Sequence, residues 1–534
     1  MTGVPVVITG HCPLCWRTSG LSTIVGTMFA RGVGNFYRLV PTPAPGSCAR
    51  GDEWCIDLVH GLMHEAEYLQ EEAMVVAWSE SMSYLLADSL RSAHGGQHQV
   101  ARVQRVRVRE LVRHARTASP LYRHLYRHLP PEVDDVTQLP VVDKPMLMAS
   151  FDDWVTDPDV TLEHLKRHFL SDLEAVGERY LGRYLVMTTS GTTGEPAVLL
   201  QDRLAWRVIN VLGRTRPQPI AKRIDLPALA RRGMRTAALF ATGGHYGAVT
   251  IAERTRRINP VFATRTRVLS VLRPLDDLVA ELNEYQPTLI SGYPSIIALL
   301  ASEQRAGRLH LEPLHILCAG ELLTQSTREA ITGAFHCVLT QGYAATEVPA
   351  VAMECANERL HVNSDWFVIE PVDADRQPVP PGVQSTSLLV TNLANHVQPI
   401  LRYDLGDRVT IHPRMCECGS HLPVMTVEGR TNDVLTLDGD SHEPVAILPL
   451  ALGSVIEEVL GVHRFQVLGT GPRSLTIRLD VEPGMERPDV QREVEHRVRA
   501  FLRGQHVTET AIEWSREAPR PEPRSGKLRQ VLQA

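Results

Sequence analysis

The sequence predicts an α/β protein, with a large domain of helix-covered sheets followed by a small α+β domain. Three observations point there. From Tyr184 onward short apolar runs alternate with helical segments, and that alternation needs a sheet largely covered by helices. Several of those runs end on a glycine-bearing turn, as in "RTAALFATGG" and "CVLTQGYAATEVP". Beyond Gly429 the texture shifts to a hairpin pattern, one amphipathic helix and a strand.

Taken in order, residues 1–75 look unlike the rest. They hold Cys12, Cys15, Cys48 and Cys55, a Pro/Gly-rich stretch "PTPAPGSCARGDEW" and no periodicity, so they read as an extension of unassigned fold. Cys12 and Cys15 have zinc-knuckle spacing, but the wider Cys48/Cys55 pair weakens a four-cysteine site. Met63 offers an internal start, and residues 1–62 are expected to be dispensable. Residues 76–430 form the large domain. Its first part, Trp78 to Leu129, is helical, with Val103, Val106, Leu111 and Val112 at helical spacing among arginines. Those arginines read as a solvated face, nucleic-acid binding being the alternative, and Pro130-Pro131 closes the segment.

Arg183 to Thr188 reads as a buried strand feeding the loop "TTSGTTGEP". In "PTLISGYPSIIALLASEQRAG" a strand precedes a helix with Pro294 in its first turn and a stop near Gly307, and Thr324 caps the next helix. Since the informative turns all follow strands, Ser190–Gly194, Ser291–Pro294, Ala319–Glu321 and Gly342–Glu347 are expected to converge on one crevice, where open α/β sheets bind ligands. Residues 431–534 form the small domain: "HRFQVLGTGPRSLTIRLDV" is a hairpin, "RPDVQREVEHRVRAFLRG" a helix and "TAIEWSR" a strand.

Composition excludes several classes. The 534 residues are 43% hydrophobic and 22% charged, with no run long enough to cross a membrane, and the N-terminus lacks the basic region of a secretory signal. A cytoplasmic site is the expectation. Nine scattered cysteines do not make a disulfide framework. Net charge is −6, from 55 basic and 61 acidic residues, which gives no case for nucleic acid or membrane as partner. Only Lys144, Lys166, Lys222 and Lys527 among the basic residues are lysines. In such a chain a lysine raises the question of whether a compact ammonium is needed.

The loop Thr188–Gly194 has the chemistry of an anion cradle. Gly191 and Gly194 let backbone N–H groups approach a phosphate, and Ser190, Thr192 and Thr193 add uncharged donors. An ordinary Ser/Thr/Gly turn has the same composition. The order of motifs decides between them. "TTSGTTGEP", "GYAATE", "LRYDLGD", "GRTNDVL" and "SGKLRQV" occur in the sequence of the adenylate-forming superfamily of acyl-CoA synthetases, which this chain resembles from about residue 80 to its end. Within that superfamily "LHVNSDWFVIEPVD", "LANHVQPILRYDLGD" and "CECGSHLP" resemble the phenylacetate-CoA ligase family, whose members join a carboxylic acid to coenzyme A with ATP and magnesium.

The resemblance implies roles. Thr188, Thr189, Ser190, Gly191, Thr192, Thr193 and Gly194 would hold the polyphosphate, and Glu347 would bind Mg2+ as a hard oxygen ligand. Ala319, Gly320, Glu321, Tyr343 and Thr346 would lie at the nucleotide, Asp407 at the ribose hydroxyls and Arg430 nearby. Lys527 would be the catalytic lysine of the small domain, and Asn432 with Asp433 the hinge about which that domain turns. Glu195 stands where the family has lysine, and Asn432 where it has aspartate. His245, Tyr246, Ser291, Gly292, Tyr293 and Pro294 are expected at the substrate pocket, with His245 shaping it and not acting as a base. Cys416 and Cys418, with His412 and His421 nearby, are either part of a Zn2+ site or reduced loop cysteines.

The expected reaction is activation of a carboxylic acid, an aromatic one by the resemblance, followed by transfer to coenzyme A. An amine, hydroxyl or carrier-protein thiol remains an alternative acceptor, and a nucleotide-binding protein without catalysis a further one. Oligomeric state, including a homodimer, stays open.

Overall fold

The computed structural model describes residues 5–8, 24–27, 81–189, 196–216, 224, 226–430, 435–441, 443–447, 452–453, 455–456, 459–521 and 528–533. The expected loop Ser190–Gly194 with Glu195, the hinge pair Asn432 and Asp433, the catalytic Lys527, and Cys12, Cys15, Cys48, Cys55 and Met63 lie outside the described residues. The chain divides into two compact units, Met1–Ala77 and Trp78–Ala534. In the first, Pro5–Ile8 pairs antiparallel with Ile24–Thr27.

In the second unit the arginine-rich segment is the helix Gln97–Ala118, which buries Val106, Leu111 and Val112 as its spacing predicts. One arginine departs from the expected solvated face. Arg107 is 5% exposed, donates to Asp88 Oδ2 at 2.6 Å and to the Asp365 carbonyl at 2.7 Å, and lies 3.4 Å from the Trp366 ring centroid. Its charge is buried because a carboxylate, a carbonyl and an aromatic face all converge on it. The next helix, Pro120–Leu125, starts with proline in its first turn and Ser119 accepting the Tyr122 N–H.

A nine-stranded sheet organises the large region. Its order is Asp407–Ile411, Val424–Arg430, Leu360–Val362, Ala352–Glu354, Val338–Tyr343, His315–Ala319, Leu289–Gly292, Thr236–Phe240 and Thr266–Ser270. The last five strands are parallel and the first four join antiparallel. The parallel strands are linked by helices, including Pro294–Arg305, which has Pro294 in its first turn and Gly307 at φ +71° just beyond it. Thr324 caps the helix Gln325–Phe335, its Oγ1 accepting the Thr327 N–H at 3.2 Å. Two three-stranded antiparallel sheets flank this body. One is Arg179–Tyr180, Tyr184–Thr188 and Val198–Gln201, and the other Phe367–Val372, Ser387–Asn392 and Ile400–Asp404.

The C-terminal region has its own core. Leu435, Leu437, Phe465, Val467, Ile477, Val494, Val498 and Val531 pack in one cluster whose buried members all lie between Leu435 and Val531. The predicted hairpin is Val462–Gly471 against Ser474–Val481, with Ala511–Trp514 and Val531–Gln533 adding parallel at its two edges. The amphipathic helix Arg487–Gly504 covers it with Val490, Val494, Val498 and Leu502, a 4-residue repeat that keeps one face apolar. Among the described residues no helix is long and apolar enough to cross a membrane.

Candidate active site

Parallel strands aim their C-terminal ends the same way, so whatever follows each strand meets at one edge of the sheet. Here Phe240, Tyr293, Ala319 and Tyr343 stand at four such ends, and all line one cavity of about 1560 Å3. Gly292, immediately before Tyr293, is required by close packing, since a Cβ there would lie 2.9 Å from the Leu239 carbonyl oxygen. Gly320 takes φ +85°, the left-handed turn that carries the chain from its strand to Glu321.

Of the expected nucleotide residues that are described, Thr188, Thr189, Ala319, Gly320, Glu321, Tyr343, Thr346, Glu347 and Asp407 all line this cavity. The stem of the predicted anion loop is pinned on both sides. Thr188 N–H donates to the His245 carbonyl at 2.7 Å, and Thr189 exchanges bonds with Ala197 through its N–H at 3.0 Å and its Oγ1 at 2.8 Å. Asp407 is 6% exposed and accepts a hydrogen bond from the Tyr343 hydroxyl. Arg430 sits directly opposite Asp407 in the antiparallel ladder. Glu347, also 6% exposed, has Oε1 3.2 Å from the donating Tyr403 hydroxyl.

Glu321 makes the most connections. Its carboxylate accepts from the Ser295 N–H and Ser295 hydroxyl, both at 3.0 Å, and from the Leu528 N–H at 3.0 Å. Ser295 lies in the first turn of the helix Pro294–Arg305, and Leu528 follows the expected catalytic lysine in sequence. His463, Arg464, Glu482 and Arg529 of the C-terminal region line the same cavity. The C-terminal region therefore forms one wall of it.

One side of the cavity is aromatic. Phe240 and Tyr293 meet edge to face with centroids 5.3 Å apart, and Tyr246 joins them. Burial pushes the Tyr293 phenol up to about 12, against the lowering effect of a backbone hydrogen bond from Ala241, so it stays un-ionised. Pro294 lines the cavity, whereas Ser291 and Gly292 sit within the strand and are not among its lining residues. His245 also departs from expectation. It is 2% exposed, packs against Phe169 with ring planes tilted and centroids 5.3 Å apart, places Nε2 3.1 Å from the Asp172 carbonyl, and is not among the cavity-lining residues. Burial lowers its pKa, which keeps the ring neutral at physiological pH.

Lys144, beside Asp143, and Tyr403, which had no role expected from the sequence, also line the cavity. The rarity of lysine in this chain was a usable signal for Lys144, but its helix Lys144–Ala149 lies some 200 residues before Glu347, and only the fold brings them together.

The expected zinc ligands are only partly grouped as predicted. Cys416 and Cys418 come together, but with Cys355 and His361, not with His412 and His421. His412 Nε2 is instead 2.7 Å from Thr426 Oγ1, and the His421 N–H reaches the Ala93 carbonyl.

No family model matches the chain. Among curated proteins it is 26% identical to a phenylacetate-coenzyme A ligase of Thermus thermophilus over 381 residues, 69% of this chain and 78% of that protein. It is 24% identical to a phenylacetate-coenzyme A ligase of Pseudomonas putida over 399 residues, 72% of this chain and 81% of the relative. Among solved structures it aligns with a 2-hydroxyisobutyryl-CoA ligase, determined in the postadenylation state with 2-HIB-AMP, at TM-score 0.62 and 19% identity, covering 83% of this chain and 91% of that one. The chain thus has phenylacetate-coenzyme A ligases as homologues, and its fold is that of the adenylate-forming ligases.

Proposed function

We propose that this chain, an adenylate-forming protein related to the phenylacetate-coenzyme A ligases, activates a carboxylic acid with ATP and passes the acyl group to coenzyme A. One observation carries the reading: Thr188, Thr189, Glu321, Tyr343, Glu347 and Asp407, taken from four separate stretches of sequence, surround a single cavity that the C-terminal region walls.

In the first step a carboxylate oxygen of the acid attacks the α-phosphorus, the bond to the β-phosphate oxygen breaks, and pyrophosphate leaves. In the second the coenzyme A sulfur attacks the acyl carbon and AMP departs with the electron pair. Asp407, held by Tyr343, accepts from the ribose hydroxyls. Thr188, Thr189 and the loop Ser190–Gly194 supply donors to the phosphates, neutralising charge without a Walker lysine. Glu347 fits Mg2+ because it is a carboxylate on the cavity wall, oriented by Tyr403. The ion would neutralise polyphosphate charge when bound. Lys527 bridges the substrate carboxylate and the α-phosphate.

The acid is aromatic in this reading, because Phe240, Tyr246 and Tyr293 offer ring edges and faces to a flat substrate. Residues 431–534 form the moving domain, turning at Asn432 and Asp433 between the two steps.

The test is acid-dependent exchange of labelled pyrophosphate into ATP over aryl, amino-aryl and aliphatic acids, followed by AMP release with coenzyme A. Exchange with an aryl acid and thioester formation are expected. No exchange with any acid while ATP binds would overturn the catalytic reading.

A further inference from the structure

Cys355, His361, Cys416 and Cys418 bring one ligand atom each to within 4.8 Å of one another. Cys355 directly follows the strand Ala352–Glu354, His361 lies in its hairpin partner Leu360–Val362, and Cys416 and Cys418 come from the loop between Asp407–Ile411 and Val424–Arg430. Those strands are neighbours in the large sheet, where Leu360 pairs with Met425. The sheet therefore delivers both loops to the same end, and neither pair of ligands alone would suffice.

The spacing suits one small tetrahedral ion. With zinc–sulfur bonds of about 2.3 Å and zinc–nitrogen bonds of about 2.1 Å, the edges of a tetrahedron are about 3.8 Å between sulfurs and about 3.6 Å from sulfur to nitrogen. Cys355 Sγ lies 3.8 Å from Cys416 Sγ, and Cys418 Sγ lies 3.3 Å from His361 Nε2. The surroundings also suit the bound form. His361 Nδ1 is 2.9 Å from the Leu422 carbonyl, which fixes the proton on Nδ1 and leaves the Nε2 lone pair facing the sulfurs. Asn357 directs its backbone N–H at Cys355 Sγ, 3.4 Å away, and its amide Nδ2 at Cys416 Sγ, 3.9 Å away, donors that stabilise thiolates. Cys355 and His361 are 6% and 5% exposed, which screens the site from competing water.

We propose that these four residues form a structural Cys3His zinc centre that braces the large sheet behind the active site. On binding, each thiol gives up its proton to solvent and the ion takes three thiolates and one neutral imidazole, with no change of oxidation state. All four positions are filled by protein, as in structural and not catalytic zinc. The brace has a defined mechanical path. Glu354, adjacent to Cys355, accepts the backbone N–H of Gln341 at 2.5 Å and the Arg328 guanidinium at 2.5 Å. Gln341 lies two residues before Tyr343, in the strand that leads to Glu347. The centre is thus a positioning element and touches no substrate.

The full chain, purified with zinc in the medium and dialysed against metal-free buffer, should hold about one zinc per chain by mass spectrometry. X-ray absorption at the zinc edge should give a shell of three sulfurs and one nitrogen. Cobalt exchange should give a tetrahedral thiolate spectrum that shifts in His361→Cys. The Cys416→Ser/Cys418→Ser variant should lose the metal and melt at least about 5 °C lower. Less than half an equivalent of zinc, a different ligand shell in the unaltered chain, or undiminished zinc in the double variant would overturn the proposal. The last result would assign the metal to the cysteines before residue 60. The absorption shell of the unaltered protein decides the matter even if the double variant fails to fold.

Discussion

The carboxylate of Glu321 accepts the backbone N–H of Leu528 at 3.0 Å, joining residues 207 positions apart. The same carboxylate holds Ser295 at the start of the helix Pro294–Arg305. Farther along that helix Ser302 Oγ lies 3.5 Å from His463 Nδ1, and Arg305 lies 3.7 Å from Glu482. One helix of the large region thus seats the C-terminal region, and Glu321 is the charged end of the seat. Glu321→Ala should slow acyl-adenylate formation by about 10-fold, the loss of hydrogen bonds to a charged group, while thioester formation from supplied acyl adenylate changes by less than about 2-fold. Single-turnover rates for both half-reactions measure this. Equal losses in the two would remove Glu321 from domain seating.

Tyr343 donates its hydroxyl to Asp407 at the cavity wall. Tyr343→Phe leaves the ring and removes that donor, so the carboxylate must be oriented by other neighbours. The Michaelis constant for ATP should rise about 5-fold, equivalent to about 1 kcal/mol, with kcat little changed. An unaltered constant would show that this contact does not prepare Asp407 for the nucleotide.

Arg107 joins Asp88, the Asp365 carbonyl and the face of Trp366 in the interior. Cutting it back to alanine strands the Asp88 carboxylate at 5% exposure, and breaking a buried pair costs about 3–5 kcal/mol. Denaturant titration of Arg107→Ala should show that loss of stability. A loss under about 1 kcal/mol would mean that Asp88 finds water or another donor.

What could be read from the sequence follows how local the physics is. Thr324 and Pro294 were legible as helix starts because a cap or a first-turn proline acts within three residues. Ala319, Gly320, Glu321 and Tyr343 were legible for a different reason: they stand at the ends of parallel strands, which finish on one side of the sheet, whereas Thr188 and Asp407, on antiparallel strands, were legible only from the order of motifs. Arg107 was not, because Asp88, Asp365 and Trp366 are remote in sequence and nothing in the helix period marks one arginine as different. The proposed metal-ligand set was half legible. Cys416 and Cys418 are neighbours in sequence, but sequence proximity suggested His412 and His421, whereas sheet pairing supplies Cys355 and His361. His245, in the turn after the strand Thr236–Phe240, shows that place in the sequence does not give a side chain's direction, which here is set by Phe169 and Asp172.

His315 gives a pH-dependent prediction. It lies on the parallel strand His315–Ala319, with Nε2 2.8 Å from Thr340 Oγ1, and burial holds its pKa down at about 4, against 6.5 for an ordinary histidine. Above pH 6.5 the ring is neutral in both folded and unfolded chains and has no effect on pH dependence. As pH falls toward 4 the unfolded chain takes up a proton that the folded chain refuses, so stability is lost across that window. The expected loss is of order 2 kcal/mol after allowance for partial solvent screening. His315→Gln keeps a hydrogen-bonding end and should flatten this part of the stability curve, measured by denaturant midpoints from pH 7 to pH 4. A variant with the same slope as the parent would place the acid sensitivity elsewhere.

Lys527 is one of four lysines in a chain that otherwise uses arginine for positive charge. It lies outside the described residues, but Leu528, next in sequence, is held at the cavity by Glu321. A solvated tail position would be served equally well by arginine. The proposed role needs a compact ammonium that contacts both the substrate carboxylate and the α-phosphate and keeps them in line as charge develops. A guanidinium is planar and wider, so Lys527→Arg should displace the charge and fail to preserve activity. Lys527→Ala should slow adenylation by about 10²–10³-fold, the scale of losing one preorganised electrostatic contact. Thioester formation from supplied acyl adenylate should lose far less, because in the proposed cycle the C-terminal region has turned before coenzyme A reacts. Measuring both half-reactions in each variant separates the roles: equal losses in both, or a fully active arginine variant, would take Lys527 out of the adenylation step.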